Sequence, residues 1–304
     1  MRTVTPPLPP DVLDCLRRAG RVAAEVRALG ASRIVAGALL REVCAGVEDE
    51  ILARGCGVAF PVQSSLNHVA AHYCAAPEDP TRYAVGDLAK LDIGVHVDGW
   101  VVDTAVTVNV GDRPEHRPLV QAAREALEDA ISAARPGVAV KRLSTAIADR
   151  VRSFGLRSMQ NLCGHGVGRW TVHRPPPIPN TPDDYGDRLE PGAVVAIEPF
   201  VTAGRGEVAE EGPAEVFRVD PTQGTPSGSE PDVMEAIAAY RGLPFSRRQL
   251  RRFPPAAVER ALAALRAQGR LIAYPPLAEK TRRPVAQAEH TIYVGREGVE
   301  VLTR

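Results

Sequence analysis

The sequence predicts a mixed α/β chain, of the α+β kind, in which helices alternate with antiparallel strands. Three features carry that reading. Lys90–Val110 reads K-L-D-I-G-V-H-V-D-G-W-V-V-D-T-A-V-T-V-N-V, two apolar, β-branched runs around an Asp98-Gly99 turn signal, which is the pattern of a β-hairpin. Amphipathic helical spacing precedes the hairpin up to Arg54 and returns after it from Leu119. A helical stretch after Asp220 then interrupts a strand pattern that resumes beyond Pro284, as an insertion would.

In chain order, Pro6, Pro7, Pro9 and Pro10 make residues 1–10 a proline-rich tail that delays helix formation, and Asp11 is placed to cap the first helix. Residues 12–29 space Val12, Leu16, Ala19, Ala23, Val26 and Leu29 as one face of that helix, with Gly30 as its stop. Ser32 is placed to start a second helix with Ile34, Val35, Ala38, Leu39 and Val43 on its apolar face, and Val47–Arg54 reads as a third. Gly57–Tyr73 mixes small apolar residues with Ser64, Ser65, Asn67, His68 and His72, a composition that suits the wall of a site; Phe60 precedes a proline and is biased to extended backbone. Pro77–Gly86 is a polar loop and Asn109–Pro118 a second turn region. Leu119–Ala134 and Leu143–Phe154 are helical, ended by Arg135-Pro136-Gly137 and by Gly155. Ala193–Ile197 is a buried strand that delivers Glu198, and Ala214–Val219 is another strand. A turn rich in Gly, Ser, Thr and Pro over 221–231 leads to helices at Asp232–Tyr240, Ser246–Arg252 and Pro254–Gln268 and a strand at Leu271–Tyr274. Together these predict a helical, winged-helix-like subdomain inserted at about 221–283 into one domain spanning 1–304. Strands resume through Glu289 to Tyr293 and at Val299–Leu302, and no internal repeat is visible by eye.

The bulk properties narrow the function. The chain has 304 residues, 44% of them apolar, so a sizeable core is expected, and 37 basic residues balance 37 acidic ones. That balance gives no reason to expect an acidic partner. Arg247, Arg248, Arg251 and Arg252 raise nucleic acid as a question, but such a cluster ordinarily solvates a helix end, so none is expected. Cys15, Cys44, Cys56, Cys74 and Cys163 are odd in number, widely spaced and without C-x-x-C, the usage of free thiols in a reducing compartment. No apolar signal core and no run of membrane-spanning length occur, so a cytoplasmic, soluble monomer is expected.

The chemistry lies in misplaced acids. Asp92 and Asp103 sit inside the apolar hairpin runs, where an uncompensated carboxylate is costly. A single strand Asp ordinarily faces water or accepts a hydrogen bond. Here Glu198 ends V-V-A-I-E, Glu289 stands in V-A-Q-A-E-H-T-I-Y-V, and His165 lies in G-H-G-V-G, all in strand or turn contexts. Four carboxylates and one imidazole point to a buried, oxygen-rich metal centre. Two divalent ions would cancel the four charges, with an oxygen nucleophile between them. A closed structural zinc site would use Cys and His instead. His173 is near enough to His165 in sequence for both rings to approach one site, from different sides. The glycines around His165 allow a tight backbone but are not a phosphate loop, because the G-K-[ST] ending is absent. A lone histidine such as His72 is more often structural.

These residues occur in an ordered set of motifs: G-V-A-F-P near residue 60, N-H-V-A-A-H-Y at 67–73, the Asp92/Asp103 hairpin, G-H-G-V-G at 164–168, H-R-P-P-P-I-P-N at 173–180, A-I-E-P-F at 196–200, G-R-G at 204–206 and A-Q-A-E-H-T at 286–291. Over nearly its full length the chain resembles the type II methionine aminopeptidases, in the short form found mainly in archaea. The resemblance implies a pita-bread fold of two pseudo-symmetric halves facing across a cleft. It implies removal of the initiator methionine from nascent proteins and short peptides with a small second residue. It also implies two divalent ions per chain, Co, Mn, Fe or Zn. On that resemblance Asp92 chelates one ion, Asp103 and Glu289 bridge both, and His165 and Glu198 complete the other shell. Glu198 then shuttles the proton, His72 meets the substrate near its free amine or leaving group, and His173 bonds the scissile amide or the intermediate oxygen. Phe60 and Val172 match the methionine pocket, with Met159 or Trp170 as nearby core. Ala288 stands where some relatives carry Phe, and the long charged N-terminal extension of eukaryotic relatives is absent, so ribosome association through it is not expected. Two other readings share the motifs: an Xaa-Pro aminopeptidase or prolidase, which usually adds an N-terminal domain, and a non-catalytic binding homologue, which would lose metal ligands.

Overall fold

A computed structural model of the chain describes residues 8–183 and 186–304, so the first seven residues of the proline-rich tail lie outside the described residues. The first half consists of helices α1 (Pro10–Arg33) and α2 (Leu40–Ala53) and strands β1 (Gly57–Leu66), β2 (Val69–Ala71), β3 (Leu88–Val97) and β4 (Trp100–Asn109). Pro10 takes the first helical position of α1, where its missing N–H would have had no partner anyway, so Asp11 lies in the first turn and not at the cap. The helix also runs through Gly30. A β-carbon there would come within 2.6 Å of Leu91 and 2.7 Å of Val47, so this glycine serves the close approach of α1 to β3 and does not stop the helix. Residues 34–39 are a connection, and the two short helices expected over 32–54 are the single helix α2. The β3–β4 hairpin forms in the expected register, with Asp98 (φ 49°) and Gly99 (φ 84°) both left-handed, as a tight primed turn requires.

The second half repeats this plan. Helices α3 (Arg117–Ala133) and α4 (Val140–Ser153) lead to β5 (Arg157–Ser158), the β6 (Cys163–Gly168) and β7 (Thr171–Pro179) hairpin, and β8 (Val194–Ile197), β9 (Phe200–Thr202) and β10 (Val208–Glu210). Helices α2 and α4 each have 14 residues, starting at Leu40 and Val140. Each comes after a turn whose glycine, Gly37 or Gly137, has positive φ and donates its N–H at 2.7 Å to a distant carbonyl, that of Tyr83 or Leu189. Each is followed by a positive-φ glycine, Gly55 or Gly155. The duplication that inspection of the sequence misses is therefore present in the backbone. What survives of it in the sequence is paired turn glycines and an apolar spacing.

Beyond β11 (Val216–Val219) come α5 (Pro231–Ala238), α6 (Pro255–Ala267) and β12 (Leu271–Tyr274), then β13 (Leu277–Glu279), β14 (Val285–Gln287), β15 (His290–Val294) and β16 (Val299–Val301). β11 and β12 form a ribbon that packs with α5 and α6 around a separate apolar cluster including Phe217, Ile237, Phe245 and Leu262. β13 returns to the body, pairing with β10 and β2. The main sheets have the orders β1-β3-β4 and β16-β15-β8-β6-β7, and their inner faces meet across a cleft, the pita-bread arrangement with a helical insertion. All five cysteines are free, and among the described residues no helix is long and apolar enough to cross a membrane.

The expected basic helix at 246–252 is only a 3-10 turn, Arg248–Leu250. Its arginines do not form a free basic patch. Arg247 pairs with Glu215 and Glu259, Arg251 pairs with Asp49, and the Arg252 guanidinium lies over Phe253. Arg248 is 3% exposed and joins the insertion to the first half, meeting Glu48 of α2 at 2.7 Å and donating to the carbonyls of Val62 and Ala75. Breaking a buried pair from one side leaves an uncompensated charge. Arg248→Met should therefore destabilise the protein by about 3–5 kcal/mol in chemical denaturation. The Glu48→Leu/Arg248→Met double variant should recover most of that loss; a double variant no better than the single one would refute the charge-based account.

Candidate metal centre

Hairpin register decides where the first two acids point. Asp92 lies opposite Ala105 and Asp103 opposite Gly94, so both carboxylates share one face of β3–β4 as diagonal neighbours. The second half meets that face with three more side chains. His165 in β6 pairs with Ala196 of β8, Glu198 comes directly after β8, and Glu289 immediately precedes β15, where His290 pairs with Ile197. Ligand-type atoms of Asp103, His165 and Glu289 all lie within 4.8 Å of one another. His165 Nε2 is 3.7 Å from Asp103 Oδ2 and 3.5 Å from Glu198 Oε1, and Asp92 stands against Asp103 and Gln287. All five residues singled out in the sequence thus converge.

Threonine hydroxyls stitch the two halves around this cluster. The Thr291 hydroxyl accepts from Asp103 N at 2.8 Å and donates to Asp103 O at 2.7 Å. Thr104 Oγ1 donates to the Glu289 carbonyl, Thr107 Oγ1 donates to the Gln287 carbonyl, and Glu289 N–H donates to Ala105 O at 3.1 Å. These bonds fix backbone and leave the acids themselves unsatisfied. Asp92 Oδ1, Asp103 Oδ1 and both Glu289 carboxylate oxygens are buried with no hydrogen-bond partner. Burial, followed by mutual repulsion, pushes Asp103 and Glu289 well above the usual carboxylate range; burial and the field of Asp92 do the same to Glu198. Burial pushes Asp92 up to about 6. The nearest cation, Arg27, bonds Thr104 Oγ1 and lies 3.2 Å from His290 Nδ1, and one guanidinium cannot balance four acids. Burial, with His173 beside it, lowers the His165 imidazole to about 3, so it is neutral, the form that ligates metals. Partnerless carboxyl oxygens, kept from ionising by burial, around a neutral imidazole are the donor set of a divalent-cation site.

A cavity of about 240 Å³ opens over the cluster. Phe60 and Val172, 4% and 7% exposed, form an apolar wall. The Phe60 ring lies where a side chain at Gly94 would be: a β-carbon there would sit 2.3 Å from it. His173 also lines the cavity, its ring edge-on to His165 with centroids 4.2 Å apart. The two rings therefore stand side by side on one β-hairpin, and not on different sides of the site. His72, with left-handed backbone (φ 65°), is held by its N–H donating to Gln63 Oε1 at 2.9 Å and is lowered by burial to about 4. Burial and the Arg218 charge lower His173 as well. Met159 is fully buried beside Phe200, and Trp170 packs on His96 at the hairpin end, so neither lines the cavity. His68 faces Glu211 at 3.5 Å, and Ala288 lies on the far side of Glu289 in a separate cavity. In the G-R-G motif, Gly204 leaves room for the Glu279 carboxylate, which accepts from the N–H groups of Arg205 and Gly206.

Sequence reasoning does not single out Tyr274, Gln63, Gln287 or the seam threonines. Tyr274 meets the His72 ring edge-on at 6.0 Å, and Gln287 Nε2 donates to Glu198 Oε2 at 3.3 Å. The available signal for Gln287 is its two-residue spacing from Glu289, which puts a second polar group near the same strand face.

Residues 14–224 match the model of metallopeptidase family M24. The chain is 37% identical over 295 residues to a methionine aminopeptidase of Archaeoglobus fulgidus, covering 97% of this chain and 99% of that protein. It is 40% identical over 296 residues to a methionine aminopeptidase of Pyrococcus abyssi, covering 96% and 99%. Among solved structures it resembles a thermophilic Arx1 (TM-score 0.84, 16% identity, covering 97% and 91%) and the methionine aminopeptidase of Thermotoga maritima (TM-score 0.73, 23% identity, covering 98% of each). Those two likenesses speak to fold alone. With its buried Asp103–His165–Glu289 cluster, the chain belongs to the methionine aminopeptidases of metallopeptidase family M24.

Proposed function

We propose that this protein releases N-terminal methionine from nascent chains and short peptides with a small second residue, using a pair of divalent ions. The observation that carries the reading is the set of partnerless carboxylate oxygens beneath a cavity with an apolar wall. Four acids and one neutral imidazole balance two dications; one ion would leave two negative charges buried. Asp92 would hold one ion, His165 and Glu198 the other, and Asp103 and Glu289 both. Divalent ions there, Co, Mn, Fe or Zn, supply Lewis acidity that polarises the scissile carbonyl and lowers the pKa of water toward neutrality.

The remaining roles belong to the chain's own groups. Glu198, less occluded than Glu289 and hydrogen-bonded by Gln287, takes the proton of the attacking water and passes it to the leaving amine. His173 is neutral at physiological pH and is a hydrogen-bond donor for the scissile amide or the oxygen that develops charge. His72, also neutral, meets the substrate beside its amine or leaving group. Phe60 and Val172 receive the thioether side chain, which suits an aromatic-lined slot. The helical excursion between β11 and β13 favours the short type II form, and we read residues 221–283 as containing an inserted subdomain whose final strand rejoins the body. A cytoplasmic monomer that binds no nucleic acid completes the proposal.

After full chelation, the protein should release no methionine from Met-Ala-Ser, and stepwise addition of single metals should restore release. Glu198→Gln should lower kcat by roughly 10²- to 10⁴-fold. Cleavage of Xaa-Pro peptides in preference to Met-Ala-Ser would favour the prolidase reading instead, and undiminished activity of the chelated protein would sink both.

The raised carboxylates also predict a pH signature. A folded-state pKa above the unfolded value of about 4 means stability present at low pH and lost as pH rises through the folded pKa. The three cavity histidines, lowered by burial, act oppositely and lose stability as pH falls below about 6.5. Both forms unfold to the same chain, so their difference depends on the folded states alone, and there His72, at about 4, and His165, at about 3, are already neutral above about pH 5. The gap in Tm between metal-loaded and chelated protein should therefore widen in scanning calorimetry as pH rises through about 6, the value to which burial pushes Asp92. A constant gap would contradict the buried-acid account.

A further inference from the structure

We propose that Arg218 forms a carboxylate-binding subsite at the rim of the active-site cavity, selecting peptides that carry a negative charge beyond the scissile bond. The proposal rests on the methionine-release reading above. β11 and β12 form an antiparallel ribbon in which Val216 is opposite Tyr274, and both line the cavity. Arg218, two residues beyond Val216, projects from the same face of the ribbon. Its Nε donates to Tyr274 Oη at 3.1 Å, and the Tyr274 ring in turn meets His72 edge-on. Its charge is also felt at His173, so the guanidinium is close to both histidines of the cavity.

What distinguishes this arginine is that, among the described residues, no carboxylate stands within ion-pair distance of it. Its neighbours Arg247, Arg248 and Arg251 all pair with carboxylates. Asp220, the nearest acid along the chain, feels the Arg218 charge without pairing with it, and its Oδ1 accepts from the Thr222 N–H and hydroxyl at 2.9 and 2.7 Å. Arg218 is half-buried and is held through Nε. Its two Nη groups have no acceptor within the described protein. A planar guanidinium oriented through one nitrogen, with its outer edge free, is a bidentate receptor for a carboxylate. Substrate direction is set by the cavity. At about 240 Å³ it is smaller than the usual range for a drug-sized ligand pocket, so a peptide held by its first residues must leave across the rim. A peptide leaving on the β11–β12 side, where Val216 and Tyr274 line the cavity, passes the Arg218–Tyr274 pair. The carboxylate can come from an acidic third-residue side chain or from the free C-terminus of a tripeptide.

The test compares kcat/KM of the metal-loaded full chain on Met-Ala-Asp-amide, Met-Ala-Lys-amide, Met-Ala-Ser-amide and Met-Ala-Ser with a free carboxylate. Wild type should favour the Asp peptide over the neutral amide by roughly three- to tenfold at low salt, with the Lys peptide disfavoured, and the ratio should approach unity near about 0.5 M salt. A similar gain for free-acid Met-Ala-Ser would assign the C-terminal carboxylate as a second occupant; no gain there would restrict the subsite to side chains. In Arg218→Met the ratio should fall to about one, while Arg218→Lys should keep part of it. Each ratio is taken within one variant, so a general loss of activity does not affect it, and Arg218→Gln serves if the Met variant does not fold. A wild-type ratio near one, or an unchanged ratio in Arg218→Met, overturns the subsite. Absence of methionine release from every peptide overturns the underlying reading and the subsite with it, whereas release from the neutral amide without acid preference overturns the subsite alone.

Discussion

Four carboxylates brought together where two half-molecules meet impose the constraint that the rest of the structure answers. Donors that might neutralise them are present but aimed elsewhere. Thr104, Thr107 and Thr291 hydroxyls bond the backbones of the facing half, and Glu289 N–H bonds Ala105 O. The seam is therefore well satisfied while Asp92, Asp103 and Glu289 keep partnerless oxygens. A purely structural interface would not retain such a cost. The geometry makes sense as a receptor whose missing charge is supplied by ions, with the threonine seam holding the acids in place before any ion arrives.

The cavity above the acids depends on a different anchor. Val216, Pro244 and Tyr274 lie along its edge, and all belong to the segment that leaves the body after β10. That segment is tied back through Arg248, whose guanidinium is enclosed by Glu48 and the carbonyls of Val62 and Ala75. Val62 lies two residues from Phe60 on β1, so the same buried ion pair steadies the apolar wall and the opposing roof. Neutral histidines complete the lining. Burial keeps His72, His165 and His173 uncharged, which leaves His165 in the form that ligates a metal and the other two able to hydrogen-bond neutral groups in the cavity.

Local features were legible because they arise from short-range periodicity and turn chemistry. The Asp98-Gly99 hairpin, the strand ending at Glu198 and helices α3 and α6 lie close to where the residues place them. The ligand set was legible for another reason: an acid within an apolar run is anomalous wherever it occurs, even before its partners are known. Failures arose where one residue type serves two ends. Gly30 reads as a helix stop but provides close packing against Leu91, and Ser32 reads as a cap while still inside α1. Arg248 reads as surface charge, since its partner Glu48 lies 200 positions away. Tyr274 and the seam threonines carry no anomaly in sequence, because Tyr and Thr are ordinary strand residues.

The backbone duplication explains why the acids converge despite such uneven spacing. In the first half, antiparallel β3 and β4 each supply one acid, Asp92 and Asp103, and a tight turn joins the strands. In the second half, antiparallel β8 and β15 do the same, with Glu198 and Glu289 at adjoining strand ends, but everything from β9 to β14 lies between them. The second pair is a hairpin opened at its turn. An excursion from that position starts and finishes beside the acids, so its β11–β12 ribbon naturally lies over them. The tight turn of the first half cannot provide a roof, and the opened one must. The asymmetry between duplicated halves is thus what turns a symmetric acid cluster into a one-sided cavity with a rim, and it adds Val216 and Tyr274 to a lining that includes Phe60, His72, Val172 and His173.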